Sequence, residues 1–336
     1  MRYVDLPYSA QPRPLPFYLA MEEYLAGRGA DARNPLRSRL LWMWRVEPTV
    51  IFGRNQDAYA EVDMEYCRQN GIQFYRRKSG GGCVYADLGN IMISCIVPGS
   101  QSTLATVFES YTSAVAQALA NLGLNAHVSG RNDIEIDGLK VSGNAFFQTP
   151  QASIVHGTML YEADMQHIAR AITPSRAKLR SKGVSSVPAH ITTISSHLDI
   201  TITDFIDYMR RTLCHEPPLQ LNSNDIAAIE RIAEPYFADE WIYGPRRNRP
   251  AIERRAHIDG AGEFLIQLDI DPSGCISYIN LGGDFFLLDD LDRELLDRLK
   301  GIPHTRAAVT GALAQVDTGA VISGLRKTDF INLVIP

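Results

Sequence analysis

The chain has 336 residues, 45% of them hydrophobic and 21% charged, and a formal net charge of −5. That length and ordinary composition predict two domains, one large and one small. The acidic balance argues against a general nucleic-acid binder, and neither a secretory leader nor an apolar run of the ~18 residues a membrane span needs is present, so no membrane association is expected.

Residues 15–26 place Leu19, Met21, Tyr24 and Leu25 toward a core, with Glu22 and Glu23 at the edge and Gly27 and Gly29 ending the helix. Strands are expected at 39–46 and 49–53, joined at Glu47-Pro48. Gly53-Arg54-Asn55-Gln56 then reads either as a plain turn or as polar groups lining a pocket. A short helix around 62–69 closes at Asn70-Gly71.

Next comes Arg76-Arg77-Lys78-Ser79-Gly80-Gly81-Gly82-Cys83-Val84-Tyr85, flanked by Ile72 and Phe74 before it and Ile91, Ile93 and Cys95 after it. The alternation reads as strand, loop, strand. Glycines without a Cβ let the backbone turn its N–H groups onto a ligand, and the preceding cations suit a carboxylate or phosphate. A basic surface hairpin would have the same composition, and the loop is not a P-loop of the Gly-x-x-x-x-Gly-Lys-Ser/Thr kind.

From 103 to 122, Leu104, Val107, Phe108, Tyr111, Val115, Ala118 and Leu119 have the spacing of a helix with a core-facing stripe. Asp137-Gly138 predicts a hairpin between 134–136 and 139–141. Lys140 follows that turn, and Ser142, Gly143, Asn144 and Ala145 leave space beside it, although a strand lysine is commonly a solvated edge residue. Residues 153–161 form a strand with His156-Gly157 at its centre; a glycine there marks close approach, while a lone histidine is commonly structural. A short helix is expected at 164–172, and the basic, small-residue run 178–186 is either a lid over a phosphate or a solvated loop. Helices follow at 203–213 and 224–234, the latter capped by Ser223 or Asn224.

The Pro- and Arg-rich stretch 244–256 reads as a boundary. Beyond it a hairpin of 264–270 and 275–281 and helices near 289–299 and 305–316 make a small α+β module. Five cysteines, at 67, 83, 95, 214 and 275, include no Cys-x-x-Cys pair, so zinc and thioredoxin-like redox readings fail. Free thiols of a cytoplasmic protein are expected.

Three of these stretches together resemble the lipoate–protein ligase A family of two-domain ligases. They are Arg76–Tyr85 with Asp87-Leu88-Gly89-Asn90, then Gly130-Arg131-Asn132-Asp133 leading to Lys140-Val141-Ser142-Gly143-Asn144-Ala145, then His156-Gly157-Thr158. Trp241-Ile242-Tyr243-Gly244 and Gly283-Asp284-Phe285-Phe286 resemble the family's later part. The resemblance implies an α/β (α+β) fold: a biotin-ligase-like catalytic domain, a mixed sheet flanked by helices, over 1–245, and a small α+β accessory domain over 250–336. It implies ATP-dependent formation of lipoyl-AMP and transfer of the lipoyl group to a lysine of apo lipoyl domains, in 2-oxoacid dehydrogenase complexes or the glycine cleavage H protein, by a monomer.

On the same basis Lys140 is the catalytic cation contacting both lipoate and ATP. Arg77, in a forked pair with phosphate, and Gly82, Cys83, Val84 and Tyr85 bind the nucleotide. Ser79, Gly80, Gly81, Asn55 and His156 join Lys140 on the lipoate side. Asp133 either orients Lys140 or holds Mg²⁺ on the phosphates. Phe146, Phe147 and Val155 are candidates for the apolar slot, and Arg246, Arg247, Arg249, Arg254 and Arg255 for docking an acidic lipoyl domain. The chain departs from the family pattern at Ala86, Phe147 and His190-Ile191. The alternatives are an ATP-independent octanoyl or lipoyl transferase with Cys83 or Cys95 as nucleophile, or a non-catalytic lipoate or lipoyl-domain binding protein.

Overall fold

The computed structural model describes residues 1–7, 12–28, 38–99, 104–130, 132–172, 190–244 and 251–336. The 178–186 run and Arg131, Arg246, Arg247 and Arg249 lie outside them. The larger part of the chain runs β1 (Arg2–Asp5), α1 (Leu15–Arg28), β2 (Leu40–Trp44), β3 (Thr49–Phe52), α2 (Ala58–Glu61), α3 (Met64–Gln69), β4 (Gln73–Arg76), β5 (Val84–Ala86), β6 (Asn90–Pro98), α4 (Leu104–Ala120), β7 (Ala126–Ser129), β8 (Asp133–Ile136), β9 (Leu139–Gln148), β10 (Ala152–Leu160), α5 (Met165–Ala171), α6 (Ile202–Leu213), β11 (Glu216–Gln220), α7 (Ser223–Ala233) and α8 (Asp239–Tyr243). The remainder runs β12 (Ile252–Ile258), β13 (Gly262–Ile270), β14 (Ile276–Gly283), α9 (Arg306–Ala312), α10 (Thr318–Val321) and α11 (Lys327–Val334).

Eight strands form one mixed sheet in the order β11-β1-β2-β6-β10-β9-β8-β7. β11, β1 and β2 are parallel, and the other pairs are antiparallel. β6 shows why both faces need cover: Ile91, Ile93 and Cys95 enter one core, and Met92 and Ile96 the other. That is the period of two of a strand buried on both sides. The stripe of α4 and Phe205, Met209 and Leu213 of α6 cover the first face. α1, with Ile229 and Ala233 of α7, covers the second. This is the mixed sheet flanked by helices that the sequence predicts.

A three-stranded sheet, β4-β3-β5, carries the glycine-rich loop between β4 and β5, and a second, β12-β13-β14, belongs to the C-terminal part. The latter packs with α9, α10 and α11 around a core of its own.

Several local expectations change. β2 and β3 are neighbours in sequence but belong to different sheets. Residues 252–258, read as boundary, are β12; Arg254 is turned inward and donates to the Val334 carbonyl at 2.5 Å, tying β12 to the end of α11. α7 is capped by Asn222, in a capping box with Asp225, rather than by Ser223 or Asn224. The segment 289–299 holds only a short, wider π-helical turn, Asp292–Leu296, and α11 was not anticipated although Phe330, Ile331, Leu333 and Val334 are buried on it. Glu22, expected at a helix edge, has no exposed surface.

Phe205 is fully buried where α6 meets the sheet. Phe205→Ala is expected to cost about 3–5 kcal/mol, read as a lower urea midpoint for loss of the large domain's structure.

Candidate active site

The glycine-rich loop has few side chains with which to pack, so its carbonyls need donors. Arg77 supplies them from inside. Its guanidinium donates to the carbonyls of Ile51 at 3.0 Å, Gly80 at 2.7 Å and Gly82 at 2.8 Å, and Nε donates to Ser79 Oγ at 3.0 Å. Arg76 does the same for the turn beside it, donating to the carbonyls of Arg54, Gln56, Trp241 and Ile242. Burial pushes each guanidinium down to about 10, which leaves both charged at neutral pH. Both hydrogens of the Arg77 Nη2, the group expected to fork onto a phosphate, go to loop carbonyls in this structure.

Lys140 lies at the start of β9, across the hairpin from Asp133 on β8. Its ammonium pairs with Asp133 Oδ1 at 2.7 Å, and both side chains are mostly buried. Gly143 makes the space for it. A Cβ at 143 would stand 2.7 Å from Lys140 Nζ, closer than such atoms approach. Thr192 N–H donates to the Lys140 carbonyl at 2.8 Å, holding the strand end from the other side. Asp133 thus pairs directly with the Lys140 ammonium.

These groups open on a cavity of about 210 Å³. Arg77, Gly81, Gly82, Cys83, Val84, Tyr85, Asp133, Lys140 and His156 all line it. Ser79 and Gly80 stand one layer behind: Ser79 is bonded to His156, and Gly80 packs against the Phe285 carbonyl. Asn55 does not line it; its carbonyl accepts from Gly283 N–H at 2.7 Å. The apolar wall is built by Leu15, Leu19, Trp44, Ile51, Met92 and Leu160. Phe146, Phe147 and Val155, the candidates from sequence, are not part of it; Phe146 and Val155 sit in the core between the sheet and α4. Their pattern announced buried aromatic and branched residues, but not which face of the sheet holds the cavity.

Two cavity walls were not assigned from the residues themselves. His190 and Ile191 enter beside Lys140, where Ile191 bridges to it in parallel register. Asp284 and Phe286 arrive from the C-terminal part. Gly81 N–H donates to the Phe285 carbonyl at 3.1 Å, and the Phe286 ring stacks on Phe146 with centroids 5.1 Å apart. The small sheet thus closes one side of the site.

Among the described residues no group of three or more His, Cys, Asp or Glu side chains is arranged to hold a metal ion. One carboxylate beside a cation suits an ion that arrives on phosphates and keeps its waters. Cys83 is on the cavity wall, whereas Cys95 is buried and its thiol is pushed up to about 12 by burial. No described helix is long and apolar enough to cross a membrane.

The lipoyl protein ligase A/B catalytic domain model matches residues 14–214, and the model of the bacterial lipoate protein ligase C-terminus matches 250–334. Lipoate-protein ligase LplJ of Bacillus subtilis is 32% identical over 327 residues, covering 94% of this chain and 95% of its own. Lipoate–protein ligase 1 of Staphylococcus aureus is 30% identical over 322 residues, covering 94% and 95%. Among solved structures, P. falciparum LipL1 in complex with lipoate superposes with a TM-score of 0.76 at 18% identity, over 99% of this chain and 97% of that one. Lipoate-protein ligase A bound with ATP gives 0.61 at 23% identity, over 72% and 98%. The glycine loop, the Asp133–Lys140 pair and the C-terminal sheet that closes on them all fall within the matched spans, and the chain belongs to the lipoyl protein ligase A/B catalytic-domain family, with a lipoate protein ligase C-terminus.

Proposed function

We propose that the chain is an ATP-dependent lipoate–protein ligase, with residues 1–245 as its catalytic domain and 250–336 as its accessory domain. The lipoate carboxylate attacks the α-phosphorus of ATP, pyrophosphate leaves, and lipoyl-AMP remains. A lysine amine of an apo lipoyl domain then attacks the acyl carbon, and AMP leaves with the bonding pair. Neither step needs a protein nucleophile; the work is electrostatic and positional.

The observation that carries this reading is the cation held on the cavity wall. Bringing a carboxylate to a phosphate sets like charges together, about 4 kcal/mol at 4 Å and an effective dielectric near 20. Lys140 is held by Asp133 at 2.7 Å and given room by Gly143, so it can sit between them. Gly82, Cys83, Val84 and Tyr85 run along the nucleotide. Arg77 acts by holding the loop in shape and by its charge. The apolar wall of Leu19, Trp44, Ile51 and Met92 takes the lipoyl tail. Magnesium would enter on the phosphates and meet the chain at Asp133, supplying charge neutralisation there.

The acceptor is a lipoyl domain of a 2-oxoacid dehydrogenase complex or the H protein. A protein of the same fold from Thermoplasma acidophilum belongs to an archaeal lipoylation system described as a bi-partite lipoate protein ligase and its E2 lipoyl domain. All five cysteines are free, which fits work in the reducing cytoplasm. Cys83 on the cavity wall keeps one other reading in view, acyl transfer between carriers without ATP.

An apo lipoyl domain incubated with the protein, lipoate and Mg²⁺ is expected to gain the lipoyl mass only when ATP is present. Gain without ATP, lost on Cys83→Ala, would overturn the ligase in favour of the transferase. Lys140→Ala is expected to abolish pyrophosphate release; full retained release would remove Lys140 from the chemistry. Gly143→Ala, which displaces the ammonium without deleting it, is expected to lower kcat/KM by about 10²-fold, the usual effect of a displacement near 1 Å; steady-state pyrophosphate release measures it.

A further inference from the structure

A run of hydrogen bonds behind the cavity ends on a carboxylate that the chemistry above does not use. Glu22 of α1, Ser79 and Ser94 have no exposed surface, and His156 of β10 is nearly as buried. His156 Nδ1 lies 2.9 Å from both oxygens of Glu22, and His156 Nε2 lies 2.6 Å from Ser79 Oγ. Arg77 Nε donates to Ser79 Oγ at 3.0 Å. On the other side, Trp44 Nε1 donates to Ser94 Oγ at 2.9 Å, and Ser94 Oγ donates to Glu22 Oε1 at 2.7 Å.

The two ends are fixed donors, and they point the protons in between toward Glu22. A guanidinium Nε and an indole Nε1 can only donate. Ser79 oxygen therefore accepts from Arg77, and its own buried proton needs an acceptor, which His156 Nε2 provides. An imidazole that accepts at Nε2 carries its proton on Nδ1, facing the carboxylate. Ser94 in the same way accepts from Trp44 and donates onward. Both runs converge on Glu22, and hydrogen bonds aligned in this way strengthen one another in a low-dielectric interior. A carboxylate in the packed face of a helix is costly unless fully bonded, and an apolar residue would serve the packing of α1 better. The bonds it makes join α1 to Ser94 of β6 and to His156 of β10, and His156 carries the run on to Ser79 of the glycine loop.

We propose that Glu22 is a positioning residue for the ligase reaction. It holds His156 as the Nδ1–H tautomer, which keeps Nε2 open to the Ser79 hydroxyl and so seats the glycine loop against the acyl chain. The proposal rests on the assignment of Ser79 and His156 to the lipoate side of the cavity, and it is distinct from Lys140, whose ion pair to Asp133 stands outside the run.

Glu22→Gln keeps the shape but sets an amide beside Nδ1, so either tautomer of His156 can form. The variant is expected to raise KM for lipoate about tenfold while KM for ATP and the thermal midpoint move little. Equal rises for both substrates, or no change, would overturn the proposal. Combined with His156→Gln, Glu22→Gln should add no further loss, whereas additive losses would show that it does not act through the ring. A direct reading needs no activity. In ¹⁵N-histidine-labelled wild-type protein, with the signal assigned by its loss in His156→Gln, His156 should show a protonated Nδ1 and a bare Nε2. A proton on Nε2 refutes the assigned direction even if the chain turned over no lipoate, so failure of the functional reading and failure of this one are told apart.

Discussion

The buried guanidinium of Arg77 is the constraint on which the site depends. A loop of three glycines can lie against a ligand because it has no side chains, and for the same reason it cannot hold its own shape. The carbonyls of Gly80 and Gly82 turn inward, and the donors that meet them come from one residue at the loop's base, which also reaches the neighbouring strand at Ile51. Removing such a donor would leave buried carbonyls unpaired, at roughly 1–3 kcal/mol each. Arg76 repeats the arrangement for residues 54–56 and joins them to 241–242. Two adjacent arginines therefore hold two turns and a short helix, and neither is a surface cation awaiting an anion.

With the loop held, the C-terminal part has something to close on. The end of β14 presents Gly283 N–H to Asn55 and the Phe285 carbonyl to Gly81 N–H, so contact is made through backbone on both sides. A side chain at Gly80 would meet the Phe285 carbonyl, and one at Gly81 the Phe286 ring. The absence of Cβ atoms thus serves two ends at once, close approach to a ligand and close approach of the second sheet. Phe286 fills the space behind, stacked on Phe146 in the core of the larger part.

The parts of the fold visible in sequence were those with a regular period. The α4 stripe, the alternation of β6 and the Asp137-Gly138 turn each declare one answer. Hidden elements had mixed signals: β11 contains Pro217 and Pro218 and survives as an edge strand, and β12 carries Arg254 between Ile252 and Ala256 on its inward face, where it donates to the end of a helix. At the site, motif order brought together Lys140, Asp133, His156 and the loop. It did not show the loop carbonyls that Arg77 bonds, because a guanidinium bonded to carbonyls and one bonded to phosphate have the same neighbours in sequence. It placed Glu22 at an edge for a like reason. A carboxylate on a helix reads as solvated, and only the positions of His156 and Ser94 on two distant strands reveal its partners.

The separation of charges follows from this arrangement. Among the described residues Lys140 lines the cavity and is met by one carboxylate across a tight hairpin rather than by a ring of carbonyls. A pair of that kind fixes where the ammonium sits and still leaves it hydrogens to offer, since an ammonium has three donors. Arg77 offers little to a ligand but its field, because its bonds are used on the loop. The loop's neighbours thus divide two requirements that one residue could not satisfy together: a cation that must not move, bonded on several sides and buried, and, in the proposed reaction, a cation that engages two approaching anions, bonded on one side and facing the cavity. Gly143 belongs to the second requirement as much as Lys140 does, because the space it leaves is the space into which the ammonium projects.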